Sequence, residues 1–294
     1  MCPRCKCEQF TIKRGFYRRP SDDKKVQRYF CKACKIGFSQ QTTSIDYRQR
    51  KRWFNQSCFF TLCSGVSQRR AAYMFQVVPR TIARRVKKFG EICEKNLQKY
   101  RESRSKVKEV ECDEMESFIH SKLKPVTIPV AVEKKTRKVL AVSIGNIGAK
   151  SCLKGLALKK YGKRPSERLK ALKTLAQALQ TCVASEARFS SDKCPLYPKL
   201  IRDFFPNATH FTCKGARGAV IGLGEIKKTV FDPIFTLNHT CAMFRDNLKT
   251  LSRRTWATAK RKDRLLLLLY IYAWFHNLWL DRKKVKPRLE VFAP

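Results

Sequence analysis

Two Cys-x-x-Cys pairs, Cys2-Pro-Arg-Cys5 and Cys31-Lys-Ala-Cys34, stand 25 residues apart at the start of the chain. Each pair can close a tight turn that points two thiolates at one ion, and two such turns give the four sulfurs of a tetrahedral zinc site. Cys7 offers an alternative to Cys2, although Cys5-x-Cys7 makes a poorer chelating turn. Between the pairs, Phe10-Thr-Ile-Lys-Arg and Gln27-Arg-Tyr-Phe30 read as two short strands. A segment this small cannot bury much apolar surface, so the metal has to supply folding energy. Residues 1–45 are therefore predicted to be a zinc ribbon with Cys2, Cys5, Cys31 and Cys34 as ligands.

Charge decides what kind of partner such a chain can have. The 294 residues carry 64 Lys and Arg against 23 Asp and Glu, a formal net charge of +41, shared almost equally between residues 1–110 and 111–294. That excess implies a polyanion, nucleic acid first, in contact with both halves. A ribosomal or nucleoid protein would share the composition, so the motifs must discriminate. The chain opens without an apolar leader, and its longest apolar run, Leu265 to Phe275, is too short to span a bilayer. Fourteen Cys without a secretion signal point to a reducing compartment, where paired Cys are more often metal ligands than disulfides. The expected location is the bacterial cytoplasm, on the nucleoid and with no membrane partner.

Residues 46–90 read as a helix-turn-helix. An apolar helix around Phe59 to Cys63 precedes Gly65-Val-Ser67, where Ser67 is placed to cap a helix over Gln68 to Phe75. A turn at Gln76-Val-Val-Pro79 follows. The next helix sets Ile82, Val86 and Phe89 on one face, with Ala72, Phe75 and Val77 against it. The expected DNA contacts are Arg69 and Arg70, then Arg80, Thr81, Arg84, Arg85, Lys87 and Lys88 on the outward faces, the layout of a recognition helix in a major groove. Residues 91–106 read as a charged helical connector.

Beyond the connector the period changes. Val107 to Ile119, Val126 to Val132 and Val139 to Ile144 predict three antiparallel strands, Pro165 to Val183 a helix, and the residues before Asp192 a strand. A glycine-bearing insert near 213–236 and two helices, about Asn238 to Leu251 and Arg261 to Leu280, complete residues 107–294. Acids are scarce, so their placement is informative. Glu111, Asp113, Glu114 and Glu116 crowd the first strand, and Asp192 follows another. Carboxylates at such positions suit a divalent cation with hard oxygen ligands, and alternation allows only part of the cluster to face one ion. Asp113 is the first candidate.

Three segments carry a resemblance to a known family. Asp113-Glu-Met-Glu-Ser-Phe-Ile resembles the motif at the first catalytic acid of DDE-type bacterial transposases of the family named insertion sequence one. Ser191-Asp192-Lys-Cys-Pro-Leu-Tyr197 is similar to its second, and Leu237-Asn-His-Thr-Cys-Ala-Met-Phe-Arg245 through Arg254 to the helix at its third. The resemblance implies an α/β RNase H-like domain, a mixed sheet flanked by helices, behind the ribbon and the all-α helix-turn-helix. It implies Asp113, Asp192 and Asn238 as catalytic positions, with Asp113 and Asp192 binding Mg or Mn. Arg245, Arg253 and Arg254 are expected on DNA phosphates. The implied activity is cleavage and strand transfer at element ends by a homo-oligomer on double-stranded DNA. Two departures stand out: Glu116 replaces the family's usual Trp, and Asn238 stands at the position of its catalytic Glu. Glu225 as a displaced ligand, an inactivated enzyme, and a non-catalytic DNA-binding regulator are the alternatives this leaves open.

Overall fold

The computed structural model describes residues 1–20, 22–42, 44–213 and 232–281. They form two compact units, Met1–Gln56 and Ser57 onward.

In the first unit β1 (Thr11–Arg18), β2 (Lys25–Cys31) and β3 (Ile36–Ser39) make an antiparallel sheet in that order. The third strand was not expected, because Ile36-Gly-Phe-Ser39 is too short to show a period. Between Lys13 and Phe16 the pairing slips, and Gly15, at φ 69°, supplies the left-handed residue that such a bulge uses. The two Cys-x-x-Cys turns are alike. Each is followed by a lysine with positive φ, Lys6 at 54° and Lys35 at 53°, and Cys34 N–H points at Cys31 Sγ from 3.4 Å.

Next come α1 (Asn55–Leu62), whose first two residues belong to the first unit, and then α2 (Gln68–Met74) and α3 (Pro79–Ser103) of the second. Ser67 caps α2 as expected, its Oγ accepting Arg70 N–H at 3.3 Å. The connector is not a separate element: α3 runs without a break through the expected boundary at residue 90. Its apolar stripe explains why, since Ile82, Val86 and Phe89 are continued by Cys93 and Leu97, all buried. That stripe lies against α8 (Lys262–Asp281), and Gly90 makes room for the backbone of Leu267.

The sheet of this unit is ordered β6-β5-β4-β8-β9, from β4 (Val107–Phe118), β5 (Pro125–Glu133), β6 (Val139–Val142), β8 (Val183–Ser191) and β9 (Thr209–Thr212), with the two-residue β7 (Gly145–Asn146) also pairing β5. β4, β5 and β6 are antiparallel neighbours, whereas β4, β8 and β9 run parallel. Two connections lead into the parallel strands: α4 (Leu153–Tyr161) and α5 (Arg168–Gln180) before β8, and α6 (Leu196–Phe204) before β9. Cys112, Ala131, Leu140, Leu172, Leu175, Phe189 and Tyr197 form one core between the sheet and α5 and α6. The other face takes α7 (Phe235–Asn247), since Leu237 N–H reaches the carboxylate of Glu111, the neighbour of Cys112 on β4. The edge strand β6 is closed by α8. Asn277 accepts Val139 N–H at 2.8 Å and donates to Val139 O at 2.9 Å, satisfying edge groups that would otherwise template another strand.

α4, α6 and β9 were not expected. The predicted helix from Asn238 to Leu251 begins earlier, at Phe235, and gives way to a 3-10 turn at Lys249–Leu251. Residues 214–231, which include Glu225 and most of the predicted insert, lie outside the described residues. No described helix is long and apolar enough to cross a membrane.

Candidate active site

The first site is sulfur. The Sγ atoms of Cys2, Cys5, Cys31 and Cys34 all lie within 4.8 Å of one another, with Cys5 and Cys31 at 3.7 Å. A tetrahedron of sulfurs about 2.3 Å from a zinc ion has edges of about 3.8 Å, so the set fits a metal ion. Cys7 stays out of the group. Its carbonyl instead accepts Cys2 N–H at 3.2 Å, bracing the first turn. Thiols this close also disturb one another: hydrogen bonding from Cys5 and desolvation push Cys34 up to about 12, while hydrogen bonds from Cys5 and Arg4 outweigh desolvation to bring Cys2 down to about 7. Among the described residues this is the one close group of three or more His, Cys, Asp or Glu.

The second site is oxygen, and the sheet builds it. Parallel pairing of Glu111 with Ser190 and Cys112 with Ser191 brings the next residues, Asp113 and Asp192, side by side where β8 ends. Burial pushes the Asp113 carboxyl up to about 6, helped by the negative charges of Asp192 and Glu114 and opposed by Glu114 N–H and by Arg245. Two carboxylates that repel each other in a partly desolvated place suit a divalent cation, which takes hard oxygen ligands and relieves the repulsion. The loop holding Asp192 is tied down. Asp192 Oδ1 accepts Cys194 N–H at 3.1 Å, and Ser191 Oγ donates to Asp192 O and meets His210 Nε2, each at 2.9 Å.

The rest of the acidic cluster is divided as strand alternation requires. Glu114, on the α5 side, is gripped by Arg168, whose Nε lies 2.8 Å from Oε2, and by Thr127 Oγ1 at 2.7 Å. Glu116 pairs with Lys150. Glu111 is only 1% exposed, and burial raises its carboxyl even though Leu237 N–H donates to it at 2.9 Å. That bond fixes the first turn of α7 against β4. Tyr197 is equally buried, beside Asp113, Asp192 and Glu114, and its hydroxyl meets no partner among the described residues.

The side chains of α7 that bear on Asp113 are Arg245 and Cys241. Asn238, in the first turn of α7, donates its Nδ2 to Asp232 Oδ2 at 2.7 Å. Arg253 is drawn into the same neighbourhood: its Nη2 donates to Glu116 O at 3.0 Å, and desolvation and Arg245 lower its basicity. Arg254 lies over the ring of Trp256 at 5.6 Å.

The expected DNA-reading residues separate by burial. Arg69, Arg70, Arg80, Arg84 and Lys87 are exposed, Thr81 and Lys88 half-buried. Arg85 departs from the expectation. It is 7% exposed because residues 82, 85, 86 and 89 share one helix face, so its position falls inside the apolar stripe.

No protein-family model and no curated protein sequence matches the chain. Solved structures with some likeness are a pre-cleavage Mos1 transpososome, at 12% identity over 79% of each chain with a TM-score of 0.26, and the Mos1 strand transfer complex, at 13% over 76% of this chain and 75% of that one, TM-score 0.25. A Mos1 mariner paired-end complex with Mn matches at 12% over 81% and 80%, TM-score 0.25. Likeness at this level transfers no residue roles, and the chemistry has to follow from this chain's own side chains.

Proposed function

We propose that the chain is a DNA transposase of the DDE type, as the resemblance of its three motifs to the insertion sequence one family implies. The observation that carries this reading is the pairing of Asp113 with Asp192 at adjacent parallel strands, with Arg245 beside them. The mixed sheet flanked by helices suits the RNase H-like domain such an enzyme needs. The four-cysteine group is read as a structural zinc ribbon, and α2 and α3 as the helix-turn-helix that binds element ends, with Arg69, Arg70, Arg80, Thr81, Arg84, Lys87 and Lys88 toward double-stranded DNA. A homo-oligomer on DNA would bring two ends together.

In this reading Asp113 and Asp192 hold Mg or Mn, which when bound supplies Lewis-acid stabilisation to the phosphodiester. Arg245 and Arg253 neutralise phosphate charge beside the carboxylates. Attack by a water oxygen, and then by the freed 3′-hydroxyl, forms one P–O bond for each one broken, so no enzyme nucleophile is needed. Asn238 contributes no charge. That missing charge, where the resemblance implies a Glu, favours a second reading, a DNA-binding regulator that has lost catalysis.

Cleavage and binding assays on DNA carrying the element's ends, with magnesium, separate the two. Asp113→Ala and Asp192→Ala should each lower cleavage at least 100-fold and leave end binding within a few-fold. Asn238→Glu should raise cleavage. Cleavage that survives both Asp variants removes the catalytic assignment, and loss of cleavage in Glu225→Ala but not in Asn238→Ala moves the third ligand to Glu225.

A further inference from the structure

A hollow of about 460 Å³ in the second unit lies between the starts of α2 and α3 and the segment that joins α7 to α8. Its walls carry Arg69, Arg80, Lys249 and Lys260. Among the described residues none of the four makes an ion pair, whereas the neighbouring Arg261 and Arg264 are partly neutralised by Asp263. A hollow with that lining selects an anion, and four cations contributed by separate elements suit the successive phosphates of a phosphodiester chain better than a single phosphate.

Trp256 also lines this hollow. It is 76% exposed, and Arg254 covers one side of its indole. A large aromatic ring in water is costly when nothing occupies its face, and a slack loop could fold it away. This loop is anchored. Leu248, Leu251 and Thr258 on either side are buried, Ala259 O accepts His120 N–H at 2.9 Å, and Arg253 is bound to Glu116 O. The indole is therefore held out among cations by a segment fixed to β4 at Glu116, three residues beyond Asp113.

We propose that this cleft seats a DNA strand with an unpaired base stacked on Trp256, between the helices that bind the duplex and the carboxylates that act on it. The inference rests on the DNA-binding reading above and adds the state of the DNA to it. Cations alone serve a paired duplex, in which neighbouring bases cover each base's faces. An exposed indole gains contact area only from a base that has left its stack, and stacking of that kind tolerates any sequence because every base has a π face. The loop's attachment at Glu116 ties the cleft to the same strand, β4, that carries Asp113.

The full metal-loaded chain can be titrated by fluorescence anisotropy with a blunt duplex and with a fork of the same duplex sequence, carrying 2-aminopurine at the first unpaired position. Wild type should bind the fork about tenfold more tightly and change the 2-aminopurine signal. Trp256→Ala should bind both DNAs with the blunt-duplex affinity and leave the signal flat, Trp256→Phe should keep part of the preference, and Arg84→Ala should weaken both DNAs alike. Equal affinity of wild type for fork and blunt duplex, or an undiminished fork preference in Trp256→Ala, overturns the stacking site while leaving duplex binding intact. Failure of wild type to bind either DNA overturns the DNA-binding reading beneath it.

Discussion

Arg84 and Arg85 are neighbours in sequence but about 100° apart around α3, and that rotation gives the two guanidinium groups different work. Arg84 points to solvent, so Arg84→Ala should weaken duplex binding and reduce the slope of log affinity against log salt by about one, with little effect on stability. Arg85 is enclosed by the apolar stripe. Its truncation leaves a hollow under α3, so Arg85→Ala should lower the unfolding free energy by about 2 kcal/mol, read in urea, and leave the salt slope unchanged. The reverse pattern would mean that the faces of α3 are assigned wrongly. A second buried base makes stability depend on pH. His276 lies on α8 with Nε2 3.2 Å from Arg137 O, and burial, aided by the charge of Arg137, brings its imidazole down to about 4. The unfolded imidazole titrates near 6.5 and takes its proton first as pH falls. Its contribution is therefore fully present above about 6.5 and is lost between there and about 4, on the order of 3 kcal/mol in all. His276→Gln should lose less stability than wild type when urea unfolding is compared at pH 7 and pH 4.5; equal losses would show that another group governs this range.

Contacts between elements decide which helices can move. At Gly90 on α3 an added Cβ would lie 2.6 Å from Leu267 Cβ and 3.0 Å from its Cα on α8. Alanine favours a helix over glycine by about 1 kcal/mol, but backbone as close as this has no rotamer by which to retreat. Gly90→Ala should therefore destabilise the second unit by about 1 to 3 kcal/mol, seen as a lower melting temperature; a rise would show that α8 can slide. This close packing was not legible in the sequence, where the charged run after Gly90 looked like a linker because its buried positions, Cys93 and Leu97, are sparse. β5 and β6 were legible from their Val- and Ile-rich runs and β4 from apolar residues spaced through its acids, and so were the two cysteine turns and the capped start of α2. α6 and β9 are too short to display a period, and α6 carries Pro198 in its first turn, where a missing N–H costs nothing. The candidate site divides the same way. Asp113 and Asp192 stood out because acids are rare in this chain. The hold of Glu111 on α7, the burial of Tyr197 and the approach of Cys241 arise from packing between residues far apart in sequence, which no local pattern reports.

At the scale of the whole molecule, two units with unequal interiors share a chain whose net charge is +41. The second unit buries apolar side chains on both faces of its sheet and along α3 and α8. In the first, the fully buried apolar positions among the described residues are Cys2, Val26, Cys31 and Phe54, and two of these belong to the sulfur group itself. Little apolar area stands behind three short strands there, so the ion has to replace a core. Metal binding free energy is then folding free energy for residues 1–56 alone. Calorimetry of the full chain should show two transitions. A chelator should abolish the one belonging to the first unit and move the melting temperature of the other by no more than a degree or two, with Cys31→Ser reproducing the effect without chelator. Positive self-repulsion sharpens the expectation, because a cationic segment stripped of its ion has no compact state to resist expansion. If chelation leaves both transitions in place, the four cysteines are not a structural metal site. If it abolishes both, the second unit depends on the first for its stability, and its buried sheet and helices do not suffice on their own.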